Sequence, residues 1–177
     1  MIFPDCDHNC VLILGVGNYL MGDEGVGVHV AQRLAGYELP PGVDVVDGGT
    51  GGFHLMGILE QYEVVVLLDA TIDGRPAGTI RLMEPRFASD FPRSMSTHDI
   101  GLRDVIEALQ ICGKMPKIYL VTISVEDLQP MSVQLSAPVQ DAAVQIFSKL
   151  YTLLWDWWRE RHLHSTVDAE DARYAYT

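Results

Sequence analysis

Residues 63–70 read EVVVLLDA, and every position from Val64 to Leu68 is apolar. Successive side chains of a strand point to opposite faces, so such a strand shows apolar groups to both sides of its sheet. Both faces must then be covered. The runs VLILGVG (11–17) and KIYLVTISV (117–125) have the same character. Between the strands lie segments of helical period, and a chain that alternates strand and helix is expected to form a mostly parallel sheet with helices on both faces. The predicted fold is therefore α/β: a three-layer α/β/α sandwich with a twisted, mostly parallel five-stranded sheet.

The other elements follow from pattern. VDVVDGG (43–49) is expected to be a second strand. TIRLME (79–84) alternates and is expected to run antiparallel to the strand before it, because TIDGRPAG (71–78) is too short for a crossover helix. Helices are predicted from Asp23 to about Ala35, from Gly51 to about Leu59, over 96–110 with Ser96 and Thr97 as candidate caps, and from Pro138 to about Leu163. The long last helix carries apolar positions at Val139, Ala143, Ile146, Leu150, Leu153 and Leu154. Residues 1–163 form one predicted domain, as a length of 177 residues suggests, and 164–177 are expected to be a flexible tail because they contain little to bury.

The net charge of −12 argues against nucleic acid or an anionic membrane as partner, since both select basic surfaces. No run reaches the ~18 apolar residues that span a bilayer. The N-terminal MIFPDCDHNC carries acids where a signal peptide carries lysine or arginine, so the protein is expected to be cytoplasmic. Three cysteines suggest no disulfide framework.

The stretch GVGNYLMGDEGVG (15–27) begins like a nucleotide-binding turn. The dinucleotide fingerprint, however, needs a third glycine where Leu20 stands. Asp23 and Glu24 also place carboxylates where a pyrophosphate wants bare N–H groups and a positive helix end. The arrangement suits a cation better. In open α/β sheets ligands bind beyond the carboxyl ends of the strands, where strand order reverses. If the order begins 2-1-3, that crevice lies between the strand ending at Gly17 and the one ending at Asp69. Asp23 and Glu24 follow the first strand, Asp69 ends the other and His98 can reach the same rim, so one histidine and two or three carboxylates can converge there as a site for Zn, Ni or Mn.

Taken in order, GVGNYLMGDEGVGVHVAQRL, DGGTGG (47–52), LLDA (67–70) and STHDIGL (96–102) resemble the hydrogenase maturation endopeptidases. The likeness covers residue 11 to about 150. It implies the same five-stranded fold and an activity: removal of a C-terminal extension from the large-subunit precursor of a nickel–iron hydrogenase. It implies Glu24, Asp69 and His98 as the metal-contacting and catalytic residues. The nickel is expected to arrive within the precursor, with no organic cofactor, and the precursor is the expected partner. No nucleophilic serine or cysteine constellation is evident, so an aspartyl-type or metal-assisted hydrolysis is favoured over a covalent one. The rival expectations are a non-cleaving, nickel-sensing chaperone and a flavodoxin-like nucleotide- or flavin-binding protein.

Each of these residues also has a plainer reading. Asp23 is expected to cap the first helix, leaving Glu24 free to face the crevice. Glu24 alone could be a first-turn acid, Asp69 a turn residue, and His98 a helix-start residue without ligand duty. DGGTGG is a tight turn or a wall for the precursor's peptide, with Asp47 orienting it. Cys6-x-His8-x-Cys10 looks like a metal tripod but lacks the second half of a structural zinc site. His29 and His54 are expected near the site without ligating. Cys112 and the Trp155, Trp157, Trp158 cluster are expected to serve packing.

Overall fold

The structure, a computed structural model, describes residues 10–91, 102–112 and 115–174, with side chains as far as Arg161. Strands β1 (Val11–Gly15), β2 (Val43–Asp47), β3 (Val64–Thr71), β4 (Ile80–Met83) and β5 (Lys117–Ser124) form one sheet in the order β2-β1-β3-β5-β4. The first four in that order are parallel, and β4 runs antiparallel to β5 at the edge. The helices are α1 (Val26–Ala35), α2 (Met56–Leu59), α3 (Leu102–Cys112) and α4 (Ala137–Tyr174), with a 3₁₀ turn at Gly22–Gly25 leading into α1. No helix is long and apolar enough to cross a membrane among the described residues.

Alternation along the strands builds two separate cores. Val11 and Ile13 of β1, Val64, Val66 and Leu68 of β3, and Tyr119, Val121 and Ile123 of β5 pack with α1 and α4. The intervening residues Leu12, Leu14, Val65, Leu67, Ile118 and Leu120 pack with α2 and α3. This makes the three expected layers. Fully burying a Leu, Val or Ile contributes roughly 1.5–3 kcal/mol, so the doubly apolar central strands anchor both cores at once.

Three expectations change. β4 does pair antiparallel, but with β5 rather than with the preceding β3, because β5 is inserted between them. All of β5 after Lys117 is buried, whereas β4 is only half-buried, so the strand that tolerates an open edge takes the edge. Second, α4 continues to Tyr174 and does not end near Leu163. Third, Leu153 points outward while Val139, Ala143, Ile146, Leu150 and Leu154 form the buried stripe. Ser96 and Thr97 lie outside the described residues.

The aromatic cluster on α4 serves packing: Trp157 lies against the α1/α4 core, and Trp155 meets Trp158 edge-on with ring centroids 5.7 Å apart. Cys112 is free and exposed, so it is not the packing residue expected of it. Cys10 is buried at the entrance of β1 and takes part in a disulfide, which removes a thiolate from the tripod reading. Cys6 and His8 lie outside the described residues.

Candidate active site

The strand order does begin 2-1-3, so the order of connection reverses between the parallel neighbours β1 and β3. α1 packs on one face and α2 on the other, which opens a crevice at the carboxyl ends of those two strands. The two are tied at that end by the Val16 N–H donating to the Leu68 carbonyl at 2.9 Å.

The glycines of the opening motif are there for close contact. Gly17 leaves β1 at φ +138°, and a Cβ on it would collide with the Glu24 carbonyl oxygen. Only glycine accepts both conditions without strain. Its N–H donates to the Gly49 carbonyl at 2.8 Å, which docks the 48–52 turn against the exit of β1. That turn has positive φ at Gly49, Gly51 and Gly52, as its composition suggests. Asp47 braces it, accepting from the Gly49 N–H at 2.9 Å and from Gln32 Nε2 on α1 at 2.8 Å.

Asp23 and Glu24 do different work. Asp23 caps nothing in its own helix: the N-cap positions of the 3₁₀ turn and of α1 are Met21 and Gly25, neither with a side-chain cap. Its side chain is instead buried, with 2% exposure, and turned toward the far end of the chain. One carboxylate oxygen accepts from the Ser136 N–H at 2.6 Å, just ahead of α4, and the other from Gln129 Nε2 at 3.2 Å. Gln129 Oε1 accepts in return from the Asp23 N–H at 3.1 Å. Gln129 and Ser136 were invisible as site-building residues because nothing in a loop's composition shows which distant acid it meets. Asp23→Ala is expected to cost about 1–3 kcal/mol by leaving these donors unpaired, read as a lower urea midpoint.

Glu24, one residue on, is only half-buried and lies in the turn that packs against β3. Its charge is felt by Asp69. Asp69 is half-buried by exposed area, but protein surrounds its carboxyl group, and this burial pushes its pKa up to about 7. The backbone N–H of Ala70 opposes the rise, and the Glu24 carboxylate adds to it. The structure thus brings together two of the three predicted residues at the predicted edge. His98 lies outside the described residues. Among the described residues, no group of three or more His, Cys, Asp and Glu side chains is placed to hold a metal ion. The chemistry of the pair nevertheless suits a cation: a positive charge between them would offset the effect of the Glu24 carboxylate on Asp69.

His29 on α1 stacks on Tyr19 with ring centroids 4.6 Å apart, and burial lowers its pKa against the opposing effect of a hydrogen bond to the Val133 backbone. His54 is exposed. An open cavity of about 370 Å³ lies beside Asp23, walled by Pro76, Glu126, Gln129 and Pro138, and does not include Glu24 or Asp69.

Comparison with known proteins agrees with this fold. Residues 28–152 match the hydrogenase maturation protease family HycI, a span that contains positions 69 and 98 and begins just after Glu24. The chain is 33% identical over 147 residues to the hydrogenase 2 maturation protease of Escherichia coli K12, covering 79% of this chain and 90% of that one. It is 33% identical over 156 residues to the hydrogenase expression/formation protein HupD of Bradyrhizobium diazoefficiens, covering 84% and 80%. Its fold superposes on the hydrogenase maturating endopeptidase HybD from E. coli with a TM-score of 0.73 at 31% identity, covering 83% of this chain and 93% of that one. The chain belongs to the hydrogenase maturation proteases.

Proposed function

We propose that this protease removes the C-terminal extension of the nickel-loaded large-subunit precursor of a nickel–iron hydrogenase. In this reading Glu24, Asp69 and His98 contact the precursor's nickel. The observation that carries it is the meeting of Glu24 and Asp69 at the switch point, with Asp69 held near half-protonation at neutral pH by burial and by its neighbour.

The chain's own part in the reaction follows from that pair. A metal-free site keeps a proton on Asp69 and presents less negative charge than its composition suggests. Docking a nickel centre already held by the precursor's own ligands displaces that proton and lets both carboxylates ionise. Recognition is thereby tied to the metal, because an empty precursor gives the pair nothing to relieve its repulsion. One of the two carboxylates takes a proton from the attacking water as general base, and nickel serves as recognition element with its charge close to the scissile carbonyl. The braced 47–52 turn forms the wall along which the precursor's C-terminal peptide lies.

Incubating the purified protein with nickel-loaded precursor and measuring the large subunit's mass tests this directly. The expected product lacks its C-terminal extension. Glu24→Gln, Asp69→Asn and His98→Ala are each expected to slow processing by roughly 100-fold or more with the fold retained. A precursor that stays intact after long incubation with the wild-type protein would show a chaperone that docks without cutting.

A further inference from the structure

Thr122 is the one polar residue within the otherwise apolar centre of β5, and it is 1% exposed. Among the described residues its hydroxyl oxygen Oγ1 has no hydrogen-bond partner. Buried polar groups are nearly always paired, so each exception asks for a reason. Valine has nearly the same shape and would fill this place without an orphaned hydroxyl.

The position of Thr122 supplies a reason. In the parallel register of β3 and β5, Thr122 stands directly beside Asp69. Registered neighbours in a parallel pair share a face and sit one strand spacing apart, about 4.8 Å. The face is that of α2 and α3, since Val65 and Leu67 lead up to Asp69 on that side, and Ile118 and Leu120 lead up to Thr122. Two residues further along the same face, Ser124 already makes the bond that Thr122 lacks: its Oγ donates to Asp73 at 2.9 Å. The sheet therefore has a working precedent for a β5 hydroxyl serving a carboxylate from the β3 end.

We propose that Thr122 is a positioning residue for Asp69. Its hydroxyl donates to one oxygen of the Asp69 carboxylate when the other oxygen engages the precursor's nickel, and so fixes the direction of that second oxygen. Hydrogen-bonded supports of this kind orient metal-contacting carboxylates, and removing them typically costs 10–100-fold in activity. This assignment rests on the processing function proposed above.

The test compares Thr122→Val and Thr122→Ser with wild type, by single-turnover cleavage of nickel-loaded precursor and by thermal melting of the metal-free proteins. Thr122→Val is expected to cleave about 10–100-fold more slowly while melting at a temperature equal to or above wild type. Thr122→Ser, which keeps the hydroxyl, is expected to cleave within about threefold of wild type. A purely structural threonine would show the opposite coupling, with rate and melting temperature falling together, and that result overturns the assignment. So does a Thr122→Val variant as fast as wild type, or a Thr122→Ser variant as slow as Thr122→Val. If the wild type itself leaves the precursor whole, the processing function falls, and this role falls with it; in the other cases only the role of Thr122 is lost.

Discussion

Asp69→Asn is expected to stabilise the protein at pH 8 while abolishing processing. Burial raises the Asp69 pKa in the folded chain to about 7, well above its ordinary value. Between about pH 4 and 7 the unfolded chain has lost this proton while the folded chain retains it. Stability therefore falls as pH rises through that window, and the full penalty is present above pH 7. A shift of about three units corresponds to a ceiling of roughly 4 kcal/mol, and relaxation around the site reduces it to on the order of 2 kcal/mol. Asparagine keeps the shape and cannot ionise. At pH 8 its melting temperature should exceed wild type by about 4–8 °C, and near pH 4 the two should converge. A variant less stable than wild type at pH 8 would show that the buried carboxylate carries no such cost. The same proton competes with a cation, so processing by the wild type is expected to weaken as pH drops below 7.

Gly27→Ala is expected to be strongly damaging although it adds a single methyl group to a helix. In a helix, alanine is ordinarily preferred to glycine by about 1 kcal/mol, and Gly27 is helical, so local propensity argues for improvement. The packing argues against it and wins. A Cβ on Gly27 would collide with the carbonyl oxygens of Leu68 and Val16, both backbone atoms held by the sheet. Neither can swing aside as a side chain would. α1 must lift from the ends of β1 and β3, and the turn carrying Glu24 lifts with it. A loss of roughly 3 kcal/mol or more, with processing reduced beyond the loss of folded protein, is expected. Gly57→Ala provides the control. It lies in α2 with open space around it, so it should be neutral or stabilising by up to about 1 kcal/mol. Chemical denaturation of the two variants side by side checks the contrast.

Much of this architecture was legible because it depends on local pattern. The doubly apolar β1, β3 and β5 required cover on both faces, and the switch-point rule then put Glu24 and Asp69 at one edge before any contact was known. What stayed hidden depends on distant partners. The short connection between β3 and β4 suggested a hairpin, and nothing in residues 71–84 shows that β5 will come between them. Asp23 had the right identity and place for a helix cap, but its carboxylate found Ser136 and Gln129 instead. Thr122 did leave a signal, as a hydroxyl on the inward parity of an apolar run. Its meaning required the register that sets it beside Asp69. The full length of α4 is not legible in the sequence, because residues 164–174 carry no apolar stripe of helical period to mark it.

The bond between Asp23 and Ser136 also says something about time. Its two ends are 113 residues apart in the chain. Contacts of such separation close late, after the intervening segments have folded. A chain emerging from the ribosome can lay down α1 against β1, β2 and β3 early, yet the turn bearing Glu24 lacks its brace until residue 136 has been delivered. Nor can β5 take its place beside Asp69 before residues 117–124 exist. A chain that stops short of residue 136 is thus a scaffold that lacks the brace on the turn bearing Glu24.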